Sequence, residues 1–262
     1  MHSAKVIDHI TTWLKDYCVR NGQHGFVVGV SGGIDSAVTS ALCARTGLPL
    51  LCVEMPIHQA ASQVQRAQEH VAALRKIHPN VRMEVVQLTS AFDQLITTLP
   101  SHEDPALMEL ALANTRARLR MTTLYYFAGL HRSLVAGTGN KVEDFGVGFF
   151  TKYGDGGVDL SPIADLTKTE VYAVARELGI VESIMLAKPT DGLWGDDRSD
   201  EDQIGASYPE LEWAMDLRER DAATTGLTDR QREVLAIFDR RRAANKHKME
   251  PVPVCVIPGE FR

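Results

Sequence analysis

Paired cysteines, a basic excess and a long apolar run are all missing from this chain, and each absence removes a class of function. The cysteines, Cys18, Cys43, Cys52 and Cys255, form no Cys-x-x-Cys pair and show neither zinc-site nor disulfide spacing, so they read as buried, reduced thiols. The formal net charge is −6. A protein that grips nucleic acid carries a basic surface, so an acidic balance disfavours that class of partner and leaves small anionic ligands, which need only local positive charge. No apolar run reaches transmembrane length, and Met1 is not followed by a basic region, an apolar core and a cleavage site. The expectation is therefore a cytoplasmic protein with no membrane contact. No internal repeat or low-complexity linker interrupts the 262 residues. A single domain spanning 1–262, with a well-buried core, is the economical reading.

The apolar spacing organises the chain. Val6, Ile7, Ile10, Trp13, Leu14 and Tyr17 recur at helical steps, so the first twenty residues read as an amphipathic helix. Phe26 to Val30, Leu50 to Glu54, Val81 to Leu88 and Ser133 to Gly137 read as strands, with helix formers between them at 36–46, 60–76 and 106–130. Thr167 with Glu170 makes a capping box for a helix ending at Gly179, and 228–248 reads as a basic helix. Strands alternating with helices predict an α/β fold, a doubly wound, Rossmann-like parallel sheet with helices on both faces. Ligands of such sheets bind at the carboxyl ends of the strands.

At the first of those ends the chain reads Gly29, Val30, Ser31, Gly32, Gly33, Ile34, Asp35, Ser36. Two glycines let backbone N–H groups approach a ligand, two serines add hydroxyls, and the following helix start leaves amide donors and positive dipole on the same spot. A phosphate suits that site. No lysine follows the glycines, which excludes a Walker A loop, and the spacing excludes Gly-x-Gly-x-x-Gly. Asp35 beside phosphates makes sense with Mg²⁺ between them, because Mg²⁺ takes one or two carboxylates plus phosphate oxygens and water. Arg116, Arg118 and Arg120 lie on the long helix; 116 and 120 share a face while 118 points elsewhere, and helix geometry alone favours a solvated basic face for them. The acidic stretch from Asp191 to Asp202 reads as a surface loop.

Ser-Gly-Gly-x-Asp-Ser resembles the pyrophosphate loop of N-type ATP pyrophosphatases, whose fold is adenine nucleotide alpha hydrolase-like. With Asn114 to Met121, Gly137 to Glu143, Phe150 to Gly157, Leu166 to Thr169, Lys188 to Thr190, Asp200 to Asp202 and His247-Lys248 in the same order, nearly the whole chain is similar to NAD synthetases. The resemblance implies ATP-dependent amidation of deamido-NAD to NAD: ATP adenylates the nicotinate carboxylate, pyrophosphate leaves, and ammonia displaces AMP. It implies Mg²⁺ on Asp35 and Glu143; ATP on residues 29–36, Thr138, Lys168 and Thr190; and deamido-NAD on Arg118, Lys152, Asp159, His247 and Lys248. Asp35, Lys168 and Asp155 would carry the catalysis, Asp155 by steering ammonia or a second metal. It also implies a homodimer and small-molecule partners only.

Two departures stand beside the resemblance. Ile34 replaces a glutamine common in ammonia-only members, and the Gly139-Asn-Lys and Gly192-Leu-Trp segments look more like the glutamine-dependent form, although no upstream glutaminase domain precedes residue 26. One extra residue between Glu143 and Gly148 makes Asp144 a candidate substitute for Glu143. The rival readings are another adenylating amidotransferase or tRNA-modifying enzyme of the same superfamily, and a nucleotide sensor without turnover. The tRNA-modifying enzymes usually need added RNA-binding domains or paired cysteines, which the sequence does not show, and a sensor does not need the full set of Asp35, Glu143, Lys152 and Lys168.

Overall fold

The computed structural model describes residues 1–190, 199–222 and 224–262. Their centre is a parallel sheet in the order β3-β2-β1-β4, made of β1 (Gly25–Gly29), β2 (Leu50–Glu54), β3 (Val81–Val85) and β4 (Ser133–Val135). β1 faces β2 with Gly29 opposite Val53, and faces β4 with Val27 opposite Val135. Side chains alternate between the two faces of a strand, and the core follows that rule. Phe26, Val28 and Cys52 join one apolar cluster; Val27, Leu51 and Val53 join another. Burying each such valine stabilises the fold by roughly 1.5–3 kcal/mol.

Helices cover both faces, as the alternation of elements requires. α1 (Ser3–Arg20), α2 (Ile34–Arg45), α3 (Ala61–Ile77) and α6 (Lys168–Leu178) cover one, with Ile7, Ile10, Leu14 and Cys18 forming the buried stripe of α1. α4 (Thr89–Thr97) and α5 (Pro105–His131) cover the other, through residues such as Phe92 and Ala128. The Asp104 side chain caps α5 by accepting from the amides of Ala106 and Leu107, and Pro105 opens its first turn. After α7 (Glu182–Met185), a third apolar cluster joins α8 (Asp200–Ile204), α9 (Tyr208–Glu219), α10 (Asp229–Met249) and a π-helical turn, Val142–Val147.

Several sequence expectations change in detail. The loop is shorter than expected because α2 begins at Ile34, which puts Asp35 inside its first turn. The third strand stops at Val85 and the fourth at Val135, leaving Thr138 and Gly139 free to line a cleft. α4, α9 and the π-helical turn were not anticipated. Cys18, Cys43 and Cys52 are buried as expected, but Cys255 is exposed. The acidic loop expected at 191–202 falls mostly on 191–198, outside the described residues; 199–202 cap and open α8.

Candidate active site

A cleft partly open to solvent lies over the carboxyl ends of β1, β2 and β4. Of the predicted nucleotide positions, Gly29, Val30, Ser31, Gly33, Ile34, Asp35, Ser36, Thr138, Lys168 and Thr190 line it, as do Glu143 and Asp155. Gly32 does not; it sits behind the loop at φ +79°, where an added Cβ would lie 2.4 Å from the Gln63 carbonyl. A side chain there would have to displace backbone.

The loop is folded on itself. Ser31 N donates to Ser36 Oγ at 3.2 Å, Gly33 N to Ser31 Oγ at 3.2 Å, and Ser36 Oγ to the Gly33 carbonyl at 3.0 Å. These bonds set both hydroxyls at the amino end of α2, beside its unsatisfied amides.

Against the loop stands a buried ion cluster. Lys168 opens α6 behind the Thr167–Glu170 capping box, and its Nζ donates to Asp35 Oδ2 at 2.6 Å and to Glu143 Oε1 at 3.1 Å. Burial works against the Lys168 charge, but Asp35, Glu143 and Asp200 outweigh it and hold the ammonium above its ordinary pKa. Asn140 ties the cluster together. Its Oδ1 accepts from the amides of Val142 and Glu143 at the start of the π-helical turn, while its Nδ2 donates to Asp35 Oδ1 at 3.2 Å. Tyr208, from α9, donates its hydroxyl to Glu143, and its ring lies 4.5 Å from Lys168 Nζ. Burial and the neighbouring Glu143 push the phenol well above its usual pKa, so it stays a donor.

Glu143 accepts from the Lys168 ammonium, and Asp144 does not share it. The Asp144 carboxylate packs against Gly139, where an added Cβ would come within 2.2 Å of it, and burial with Glu143 close by raises its pKa to about 8. Asp155 faces the cleft from the glycine-rich turn; the surrounding protein raises its pKa to about 6, against a backbone hydrogen bond from Thr151.

The five residues that the resemblance assigns to deamido-NAD do not line this cleft. Four of them nevertheless form one string. Arg118 donates to the Lys152 carbonyl at 3.4 Å, Lys152 Nζ donates to the His247 carbonyl at 2.7 Å, and Lys248 Nζ donates to the Phe150 carbonyl at 2.6 Å. Asp159 stands apart, accepting from the Tyr125 hydroxyl at 3.0 Å and the Val135 amide at 2.8 Å. The arginines of α5 part company as helix geometry requires. Arg116 lies 4.7 Å over the Phe92 ring, Arg118 is exposed, and Arg120 reaches the cleft wall, donating to the Met55 carbonyl at 3.1 Å and Gln59 Oε1 at 2.7 Å. Tyr208 escaped sequence reasoning because no local spacing links it to the loop; Arg120, Asn140 and Asp200 lie in stretches the sequence singles out, which assign them no role in the site.

Among the described residues, no group of three His, Cys, Asp or Glu side chains is placed to hold a metal ion. Asp35 and Glu143 nonetheless converge on one ammonium. Two oxygen donors of that kind fit a Mg²⁺ ion whose other ligands come from phosphate and water.

The family model described as NAD synthase matches residues 6–252. This chain belongs to the NAD synthase family. A curated relative named NH(3)-dependent NAD(+) synthetase, from Carboxydothermus hydrogenoformans, is 35% identical over 253 residues, covering 94% of this chain and 96% of its own length. Among solved structures, the NMN synthetase of Francisella tularensis matches with a TM-score of 0.82 at 28% identity, over 99% of each chain. The NH3-dependent NAD synthetase of Campylobacter jejuni matches with a TM-score of 0.78 at 26% identity, over 98% of this chain and 100% of that one. As a family member the chain has the α/β, adenine nucleotide alpha hydrolase-like fold.

Proposed function

We propose that this chain amidates deamido-NAD to NAD at the expense of ATP, with AMP and pyrophosphate as the other products. The observation that carries the reading is the Asp35–Lys168–Glu143 cluster facing the Ser31–Ser36 loop in a member of the NAD synthase family. ATP phosphates rest on the loop hydroxyls and the amides of α2, with the Lys168 ammonium as a cation within reach of them. Asp35 and Glu143 would hold Mg²⁺, which supplies charge neutralisation for the departing pyrophosphate. In the first step a nicotinate carboxylate oxygen bonds to the α-phosphorus as the bond to pyrophosphate breaks. In the second, ammonia bonds to the acyl carbon, AMP leaves, and the nitrogen gives up a proton. Asp155, with a pKa near 6 and facing the cleft, is largely ionised at neutral pH and suited to receive it.

Arg118, Lys152, Asp159, His247 and Lys248 would hold the dinucleotide from outside the cleft. Exposed apolar side chains on α5, among them Leu107, Tyr126 and Leu130, support a homodimer that covers them. No helix among the described residues is long and apolar enough to cross a membrane. A cytoplasmic enzyme fed by free ammonia, or by nitrogen from a separate glutaminase, accords with these features.

The test is direct. Purified protein given ATP, Mg²⁺, deamido-NAD and ammonium should form NAD and AMP; formation of ADP instead sinks the mechanism, and turnover by Asp35→Asn sinks the metal assignment. The match to an NMN synthetase supplies a second substrate reading, the deamido form of NMN. Running both substrates in parallel decides between them by the ratio of kcat/KM.

A further inference from the structure

Glu54 is the last residue of β2, and its side chain is only 3% exposed. Its Oε2 accepts from Gln68 Nε2 at 3.0 Å, while its Oε1 is buried and meets no hydrogen-bond donor. A buried acceptor left unpaired costs about 1–3 kcal/mol, and more when charged. Nothing in the reaction as derived above uses this oxygen, yet Glu54 lines the same cleft.

Its position says what would pair with it. β2 lies beside β1 with Val53 opposite Gly29, so Glu54 stands level with Val30, one residue before the phosphate loop. Neighbouring strands are about 4.8 Å apart. The two sides of the loop differ in chemistry. On the β4 side are Glu143, Asp155 and Lys168, the charged groups of the reaction; on the β2 side, beyond Glu54, Met55, Pro56 and Val64 offer an apolar wall to a flat base, with Gln59 and Arg120 beside it. A nucleotide with phosphates on Ser31–Ser36 and base on that wall places its ribose, the group bonded to the α-phosphate, over the end of β2. Dinucleotide-binding folds meet the same geometry with an acidic residue that takes the ribose hydroxyl.

We propose that Glu54 is a specificity-determining residue that accepts a hydrogen bond from the ribose diol of the bound nucleotide and selects ATP over its deoxy forms. The assignment rests on the reading of Ser31–Ser36 as the ATP phosphate site. A site built to bond a hydroxyl rejects an analogue that lacks it, because its own acceptor is then stranded.

The experiment compares ATP, 2′-deoxyATP and 3′-deoxyATP with the wild-type enzyme, by AMP release with both substrates present and by calorimetric binding of each nucleotide. At least one deoxynucleotide should lose ten-fold or more in kcat/KM and in affinity. In Glu54→Met, and in Glu54→Leu as a second variant without an acceptor, that preference should fall below about three-fold while ATP still binds. Wild-type acceptance of both deoxynucleotides within two-fold of ATP overturns the assignment, as does full preference in either folded variant. Failure of ATP to bind at all would instead sink the reading of the loop. Discrimination in binding without AMP release would leave Glu54 in place and sink only the reaction.

Discussion

Lys168 Nζ lies 2.6 Å from Asp35 Oδ2 and 3.1 Å from Glu143 Oε1, so one buried ammonium balances the two carboxylates proposed to hold Mg²⁺. The lysine sits where a divalent cation would draw the same oxygens. Loading Mg²⁺ together with ATP then requires Lys168 to shift from carboxylates to phosphates. Lys168→Met should cost about 3–5 kcal/mol of stability, the usual penalty for stripping one partner from a buried pair. Mg²⁺ should restore part of that loss without nucleotide, and should not raise the wild-type Tm to the same degree. Thermal unfolding of both proteins with and without Mg²⁺ measures it; equal Mg²⁺ responses would refute the exchange.

Tyr208 offers a milder perturbation of the same cluster. Tyr208→Phe removes the hydroxyl that Glu143 accepts from but keeps the ring under Lys168. A hydrogen bond to a charged group contributes roughly 1.5–3 kcal/mol, so kcat should fall on the order of ten- to a hundred-fold. KM for deamido-NAD should stay near the wild-type value while the Mg²⁺ requirement rises. A change confined to the KM for deamido-NAD would show that Tyr208 serves the dinucleotide instead.

Gly32→Ala tests the loop backbone against a matched control. Gly32 and Gly47 both have positive φ, +79° and +75°, but a Cβ at Gly47 meets nothing within 4 Å whereas one at Gly32 meets the Gln63 carbonyl at 2.4 Å. Gly47→Ala should cost only the backbone strain, about 1–3 kcal/mol. Gly32→Ala should cost clearly more and should also weaken ATP binding, as urea unfolding and calorimetry would show.

His70 gives a pH signature away from the chemistry. Its Nε2 pairs with Ser40 Oγ at 2.9 Å, and burial lowers its pKa to about 4, against a hydrogen bond to the Ala37 carbonyl. A depressed histidine contributes its stability in full above the unfolded pKa, about 6.5, and loses it as pH falls through 4. Between those values the penalty grows by about 1.4 kcal/mol per pH unit for the one proton. The wild-type Tm should therefore drop more steeply from pH 6.5 to 4 than that of His70→Gln. Parallel slopes would show that other groups set the acid limit.

Much of this architecture was legible in the residues because local rules agree with the tertiary outcome. The Val-rich strand before Ser31 and the Thr167–Glu170 box each specify their own geometry over a few residues. The expected loop was too long only because Ile34 and Asp35, unremarkable as helix starters, are drawn into α2 by burial of Ile34. Tyr208 was illegible for the opposite reason. It reaches Glu143 across 65 positions of chain through the packing of α9, which no short pattern encodes. Arg118, Lys152 and His247 came from family likeness and do meet in a row, although a row outside the cleft. Arg120, which helix geometry alone would have left in solvent, is the arginine that faces the cleft.

The seam between two apolar clusters carries a further consequence. Lys168 begins a helix of the first cluster, while Tyr208 and Glu143 belong to elements of the cluster around α9 and α10, and the Thr169 amide also donates to Glu212 Oε1 at 2.8 Å. The charges proposed to serve the chemistry are thus the mortar between two hydrophobic blocks. Asp35 stays with Lys168 on the first block, so separating the blocks strips that buried pair of Glu143 and Tyr208 and ties the opening of one wall to the other. Amide exchange in α6 and in α9 should open in step, as one cooperative unit.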